Sequence, residues 1–143
     1  MEAELEPGLT YTDVQLSCIA AIFSRDTFSD AEDDRGKASS FARIDMPVEF
    51  IEVIHTLPNK IRGNHVHHST EETLSVLSGK LALYVLCDCP DQHVFVKTMS
   101  SGDTVLLPKG TPHTLHALQE TDAIALFDKD PRSDRDRVHV LKF

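Results

Sequence analysis

The stretch "GNHVHHSTEETLSVLSG", residues 63–79, places three histidines and two glutamates between two glycines. In a β-strand, side chains at positions i and i+2 share a face. His65 and His67 therefore point in one direction, and His68 points in the other. The pattern predicts two imidazoles that converge on one site, with His68 at its rim or on the surface.

The same alternation predicts that a carboxylate and a third imidazole also face the interior. Beyond a short turn, Glu72 shares a face with Leu74 and Val76, and this apolar set is expected to face the interior. Farther along, "GDTVLLPKGTPHTLHA", residues 102–117, supplies His113, which shares its face with apolar neighbours. Glu72 and His113 are therefore the inward polar candidates of their strands.

These four side chains form a donor set for a metal. Nitrogen and oxygen donors without thiolate suit iron, manganese, nickel, cobalt, copper or zinc, and the ligand types do not choose among them. Open coordination positions on such an ion would permit catalysis. We expect His65, His67, Glu72 and His113 to bind one divalent transition metal ion; the alternative is a polar pocket that holds no metal.

The rest of the chain is a series of short β-type runs separated by turn residues, without long helical periodicity. A length of 143 residues matches one ordinary domain. We expect a single all-β domain over residues 1–143, folded as a sandwich or barrel. The predicted strands lie at 14–23, 48–56, 64–68, 73–78, 81–87, 93–99, 104–108, 113–118, 123–127 and 137–143.

Charge and composition exclude several partners. The formal net charge of −9 opposes binding to nucleic acid and to anionic membrane surfaces. The longest apolar runs are far too short to cross a bilayer. The first ten residues, "MEAELEPGLT", have neither a basic region nor an apolar core, so we expect no secretory signal and a cytoplasmic location.

Three cysteines, Cys18, Cys87 and Cys89, cannot all pair within one chain. No second thiol pair completes a tetrahedral zinc site around Cys87 and Cys89. We expect all three to be structural, reduced thiols.

Two polar segments interrupt the strand pattern. Residues 25–40 are expected to form a surface loop, with a lid over a ligand as the alternative. In residues 128–137 the charges alternate in sign, which indicates a solvated connection to the last strand.

The two histidine segments together resemble a known family. Residues 63–79 read H-x-H-x₄-E-x₆-G and residues 102–117 contain G-x₅-P-x-G-x₂-H, and these resemble the two signature motifs of the cupin superfamily. The resemblance implies a cupin-type double-stranded β-helix, a jelly-roll barrel, with His65, His67, Glu72 and His113 as the metal ligands. Two departures are Gly63, which lies closer to the first histidine than the usual motif glycine, and Ala117 at the usual asparagine position.

The resemblance also implies a homodimer that buries exposed edge strands. The terminal runs at 14–23 and 137–143 are the candidates for this interface.

The hexapeptide "RGNHVH", residues 62–67, is also similar to cupins of nucleotide-sugar and capsular-polysaccharide metabolism. That likeness implies that the guanidinium of Arg62 contacts an anionic substrate group and that a histidine acts as a base. Two further cavity candidates are His55, for which a hydrogen-bonded core position is the alternative, and Tyr84, for which packing as a half-buried aromatic is the alternative.

Three functions stay open on the sequence. The first is a metal-dependent enzyme acting on a small polar metabolite, by dioxygenase or isomerase chemistry. The second is a metal-independent nucleotide-sugar epimerase or isomerase. The third is a non-catalytic module that binds a small ligand or a metal. We favour the enzyme with a metal, and the substrate is not defined by fold or ligand set.

Overall fold

A computed structural model of the chain describes residues 3–87 and 90–142. In this part of the chain the regular structure is fifteen short strands and one turn of 3₁₀ helix, Pro131–Ser133. The strands are β1 (Glu4–Leu5), β2 (Thr10–Thr12), β3 (Ile22–Ser24), β4 (Ser29–Asp33), β5 (Gly36–Ser40), β6 (Phe50–Thr56), β7 (Ile61–Val66), β8 (Glu72–Ser78), β9 (Lys80–Leu86), β10 (His93–Ser100), β11 (Thr104–Leu107), β12 (His113–Ala117), β13 (Thr121–Phe127), β14 (Asp136–Arg137) and β15 (Leu141–Lys142).

Two sheets form the barrel. A five-stranded sheet has the order β3-β11-β8-β13-β6, and a six-stranded sheet has the order β14-β7-β12-β9-β10-β2. Strand β2 pairs with β10 in parallel, and the other pairs of these two sheets are antiparallel. From β6 to β9 and from β10 to β14, consecutive strands alternate between the two sheets, as in a jelly roll, whereas β9 and β10 are neighbours in the six-stranded sheet. The architecture confirms the predicted all-β jelly-roll barrel.

The main core lies between the inner faces of the two sheets. In β8, Leu74 and Val76 are fully buried there, as the alternation predicts. In β9, Leu83 and Val85 belong to the same cluster, whereas Tyr84 belongs to a second apolar cluster on the outer face. Strand β9 is a continuous apolar run because both of its faces are covered.

The end segments of the chain cover the outer face of β9. Val140 and Leu141 are buried in the second cluster, at 0% and 2% exposure, and β15 pairs with β1. Val140 and Leu141 are therefore packed within the chain, and the dimer interface expected along 137–143 stays a prediction.

The first predicted strand is wrong over most of its length. Of residues 14–23, only the last two lie in a strand, β3, and the preceding segment is tied to the barrel by a disulfide between Cys18 and Cys87. The expectation of reduced thiols is therefore wrong for this pair. The sequence did not indicate this disulfide, because the two cysteines are 69 residues apart and lie in segments that meet only in the folded barrel. Cys89 lies outside the described residues.

The polar segment at 25–40 is a hairpin rather than a loop. Strands β4 and β5 pair across it, and all of their residues are exposed. At its base, Phe28 packs edge-on against Phe41. No helix in the described part of the chain is both long and apolar enough to span a membrane.

Candidate metal centre

A β-bulge decides which side chains of β7 face the barrel interior. His113 pairs with His65, but the next residue of β12 pairs with Gly63, so Asn64 is an extra residue in β7. Gly63 and Asn64 both have positive φ, 91° and 54°, which suits a glycine and an asparagine. The bulge interrupts the alternation, so that Arg62 and His65, three residues apart, line the same cavity.

Four side chains converge at the inner end of this cavity. His65 lies near the end of β7 and His67 directly follows that strand, whereas Glu72 begins β8 and His113 begins β12. Each offers one ligand atom, and these atoms lie within 4.8 Å of one another. The Nε2 atom of His113 is 3.1 Å from both His65 Nε2 and Glu72 Oε2, and His67 Nε2 is 3.7 Å from the same carboxylate oxygen. The structure thus brings together all four predicted ligand residues.

Backbone carbonyls orient two of the imidazoles. The Nδ1 atom of His67 lies 2.7 Å from the carbonyl oxygen of Asp134, and that of His113 lies 2.9 Å from the carbonyl of Thr111. Because a carbonyl only accepts, Nδ1 carries the hydrogen in both rings. In the neutral form of each ring, Nε2 therefore presents its lone pair to the cluster, as in metal-binding histidines.

Two buried atoms in the cluster lack hydrogen bonds. His67 Nε2 and Glu72 Oε2 have no hydrogen-bond partner within the described part of the chain, and their residues are only 3% and 5% exposed. Buried polar atoms without partners are rare because they lose the stabilisation that water gave them. Three imidazole nitrogens and one carboxylate oxygen, with two acceptors unsatisfied, fit a divalent transition metal ion.

Local electrostatics favour the ligating protonation states of His65 and Glu72, whereas for His113 burial is outweighed by the adjacent Glu72 carboxylate, which raises the pKa. Burial, followed by the charges of His113 and His67, lowers the pKa of His65 to about 3. Burial opposes ionisation of Glu72, yet the three neighbouring imidazoles lower its pKa below the ordinary value. At neutral pH the cluster therefore offers a neutral His65 and an ionised Glu72.

A cavity of about 480 Å³ leads to the cluster. Its residues come from both sheets and from the segment after β13, and they combine apolar walls with two arginines. Apart from the cluster itself, they are Glu52, Val53, Ile54, His55, Ile61, Arg62, Gly63, Leu115, Phe127 and Arg135.

The two arginines differ in how they are held. Arg62 donates from Nε to Thr56 Oγ1 at 2.9 Å and from Nη2 to the carbonyl of His55 at 2.8 Å, and it forms no ion pair with any described residue. Arg135 pairs with Glu52 at 3.2 Å. Arg62 therefore brings an uncompensated positive charge to the cavity of an acidic chain.

Comparison with known proteins places the fold in a family. The family model described as cupin matches residues 50–141, more than half of the chain, and this range contains both histidine segments. The chain belongs to the cupin family. A curated relative, putative germin-like protein 2-3 from Oryza sativa subsp. japonica, is 34% identical over 62 residues, which are 43% of this cupin and 28% of that protein. This cupin thus spans less than a third of the relative's length.

Solved structures with similar folds include a ketoisomerase and an epimerase. A 3,4-ketoisomerase from Helicobacter canadensis has a TM-score of 0.68 at 17% identity, over 83% of this chain and 91% of that chain. ChmJ, a 3'-monoepimerase from Streptomyces bikiniensis in complex with dTDP-quinovose, has a TM-score of 0.72 at 17% identity, over 86% and 71% of the two chains. At this identity the likeness shows the fold alone.

The capsular polysaccharide assembling protein CapF from Staphylococcus aureus is 26% identical, with a TM-score of 0.57. The match covers 79% of this cupin and 33% of CapF. The likeness to nucleotide-sugar and capsular-polysaccharide cupins, read from "RGNHVH", is thereby supported.

Other residues singled out in the sequence lie at the edge of the site or away from it. His55 borders the cavity, but its half-exposed ring is paired with Asp122 at 2.6 Å and Glu120 at 3.2 Å, so the alternative of a core histidine is wrong. The hydrogen bond to Asp122 raises the pKa of His55. Tyr84 packs on the outer face of its sheet against Tyr11, and it is not among the cavity residues.

The second polar segment is the main difference between expectation and structure. Residues 128–137 are mostly exposed, as expected of a solvated connection, but Arg135 also reaches the cavity and Asp134 contacts His67. Alternating charges gave no sign of this role, since the contacts join residues more than sixty positions apart. His68, predicted to lie off the site, is exposed and pairs with Asp136 at 2.7 Å.

Proposed function

We propose that this cupin is a metal-dependent enzyme acting on a small anionic metabolite. His65, His67, Glu72 and His113 would hold one divalent transition metal ion. The observation that carries the proposal is the convergence of four ligand atoms within 4.8 Å, two of them buried and without a hydrogen-bond partner among the described residues.

The chemistry follows from the cavity. When bound, the metal would supply a Lewis acid for a carbonyl or carboxylate, or a site for dioxygen activation. Leu115 and Phe127 provide apolar walls that reduce the access of water. Arg62, without an ion-pair partner among the described residues, would bind a carboxylate or phosphate of the substrate through its planar guanidinium.

A second candidate is a metal-independent epimerase or isomerase of nucleotide sugars. It is supported by the likeness to CapF and by the guanidinium of Arg62, which has no ion-pair partner among the described residues and would suit a diphosphate. The depressed pKa of His65 weighs against this residue as the base, since a general base works best with a pKa near the working pH.

The deciding experiment is metal analysis of untagged protein purified without chelator. We expect about one metal ion per chain in the parent protein, and its loss in His67→Ala, because that variant removes one of four ligands. His68→Ala is the matched control: it removes the neighbouring imidazole, which lies outside the cluster and should leave the metal content unchanged. Substrate screens with the loaded protein then test carboxylate and keto-sugar substrates.

Two results would contradict the proposal. One is a parent protein that neither contains nor takes up a transition metal. The other is equal metal content in all three proteins. Turnover of a nucleotide sugar that a chelator does not affect would favour the second candidate, and ligand binding without turnover in a broad screen would favour a binding module.

A further inference from the structure

The segment after β13 packs against the turn that separates two of the proposed ligands. We call residues 128–136 the clasp. The turn, residues 68–71, is the four-residue spacer between His67 and Glu72. Along its whole length this turn hydrogen-bonds to the clasp.

The carboxylate of Asp134 makes most of these bonds. Its Oδ1 atom accepts the backbone N–H of His68 at 3.0 Å. Its Oδ2 atom accepts the backbone N–H and the hydroxyl of Ser69, at 2.9 and 3.0 Å, and the hydroxyl of Thr70 at 2.9 Å. The backbone N–H of Ser69 is the main reason that the pKa of Asp134 lies well below its ordinary value. An ionised carboxylate with four donors fixes three consecutive residues.

The same residue also contacts a proposed ligand directly. The carbonyl oxygen of Asp134 accepts from Nδ1 of His67 at 2.7 Å. The opposite ring nitrogen, Nε2, is the buried atom that faces the cluster without a hydrogen-bond partner in the described chain. This one contact sets both the tautomer and the ring orientation of His67.

Local structure holds the carbonyl of Asp134 in place. The residue caps the 3₁₀ turn Pro131–Ser133, and its backbone N–H donates to the carbonyl of Pro131 at 3.0 Å. At the other end of the clasp, Asp128 accepts the backbone N–H of Glu71 at 2.8 Å. The clasp therefore holds the chain beside both His67 and Glu72.

We infer that Asp134 is a positioning residue of the metal site: its carboxylate fixes the turn after His67, and its carbonyl presents His67 Nε2 to the metal. The inference rests on the proposed function, because it assumes that the four-residue cluster binds a metal ion. It adds that metal affinity depends on a residue outside both cupin motifs.

The test compares Asp134→Ala and Asp134→Asn with Asp136→Asn. Asp136 is the matched control, because it belongs to the same segment and its carboxylate binds a histidine, His68, that is not in the cluster. The dissociation constant for Zn²⁺ is measured by competitive titration of the metal-free proteins. We expect about 10-fold to 100-fold weaker binding for Asp134→Ala, a smaller loss for Asp134→Asn, which keeps one carbonyl oxygen, and no change for Asp136→Asn.

A second readout separates positioning from a general loss of stability. The tautomer of His67 is read by ¹⁵N-edited NMR in the metal-free proteins. We expect a hydrogen on Nδ1 in the parent and in Asp136→Asn, and a mixture of tautomers in Asp134→Ala. If Asp134→Ala does not fold, Asp134→Asn supplies both readouts.

The outcomes distinguish the two proposals. A folded variant at position 134 with the parent's zinc affinity and His67 tautomer would overturn the positioning role and leave the metal site intact. A parent protein that binds no zinc or other transition metal would overturn the proposed function, and the tautomer would then decide the positioning role by itself.

Discussion

At the scale of single residues, the conformation of Gly63 determines what faces the cavity. The bulge at Gly63 and Asn64 lets Arg62 share the cavity with His65, although simple alternation would separate them. A Cβ atom added to Gly63 would lie 2.9 Å from the carbonyl oxygen of His113. Glycine is therefore needed here both for its positive φ and for the close approach of β12.

Gly63→Ala should destabilise the protein more than a matched glycine substitution. Gly8 has almost the same φ, 90° against 91°, but open space around its Cβ position. We expect Gly8→Ala to cost about 1 kcal/mol of unfolding free energy, from the backbone conformation alone. Gly63→Ala should cost at least about 2 kcal/mol, because β12 must also move. Urea denaturation of both variants checks this, and equal losses would show that the close approach does not matter.

At the scale of elements, Asn64 joins the bulge of β7 to the end of the chain. Its Oδ1 atom accepts from the backbone N–H groups of Val140 and Leu141, both at 3.1 Å, and from the hydroxyl of Thr114 at 2.7 Å. Its Nδ2 atom donates to the carbonyl of Leu141 at 3.0 Å. One side chain thus pairs with the backbone groups that hold the C-terminal segment on the outer face of the sheet.

Asn64→Ala should loosen that segment. We expect a loss of about 2–4 kcal/mol of unfolding free energy, because several part-buried donors and acceptors lose their partner. Hydrogen exchange at Val140 and Leu141 should increase together. Asn59→Ala is the control, since Asn59 also has a positive φ, 65°, but is exposed. Unchanged exchange in Asn64→Ala would mean that apolar packing alone holds the segment.

At the scale of the whole molecule, the Cys18–Cys87 disulfide ties the segment before β3 to the end of β9. A disulfide that closes a long loop stabilises mainly by restricting the unfolded chain. Neighbouring Ile19 and Ala21 are buried in the main core, which agrees with a fixed segment.

Reduction should lower the stability of the protein by about 2–4 kcal/mol. Thermal unfolding with and without a phosphine reductant measures the effect. The double variant Cys18→Ala with Cys87→Ala should be less stable than the oxidised parent and insensitive to the reductant. Peptide mapping without reduction should recover the Cys18–Cys87 crosslink, and its absence would contradict the pairing.

The homodimer stays a prediction at this scale. The edge strand β6 offers two exposed apolar side chains, Ile51 and Val53, at 60% and 71% exposure. Light scattering should give twice the chain mass of 15.9 kDa if the expected pairing occurs. A single chain mass at working concentration would contradict it.

The sequence by itself determined the barrel and the four convergent side chains. Alternation along a strand is a local property, so the burial of Glu72 and His113 follows from their apolar neighbours without knowledge of the fold. The spacing of residues within the two histidine segments is also a local property, and it indicated the cupin family.

Only the tertiary structure decided the bulge at Asn64, the Cys18–Cys87 pair and the clasp around Asp134. Each depends on contacts between segments that are far apart in the chain, 67 residues for His67 and Asp134 and 69 for the cysteines. The hydrophobic periodicity and the charge pattern are local, so they do not predict which distant segments come into contact. Those contacts depend on how the two sheets pack. The residues that hold the ligands in place were therefore hidden in a segment that looked like a solvated connection.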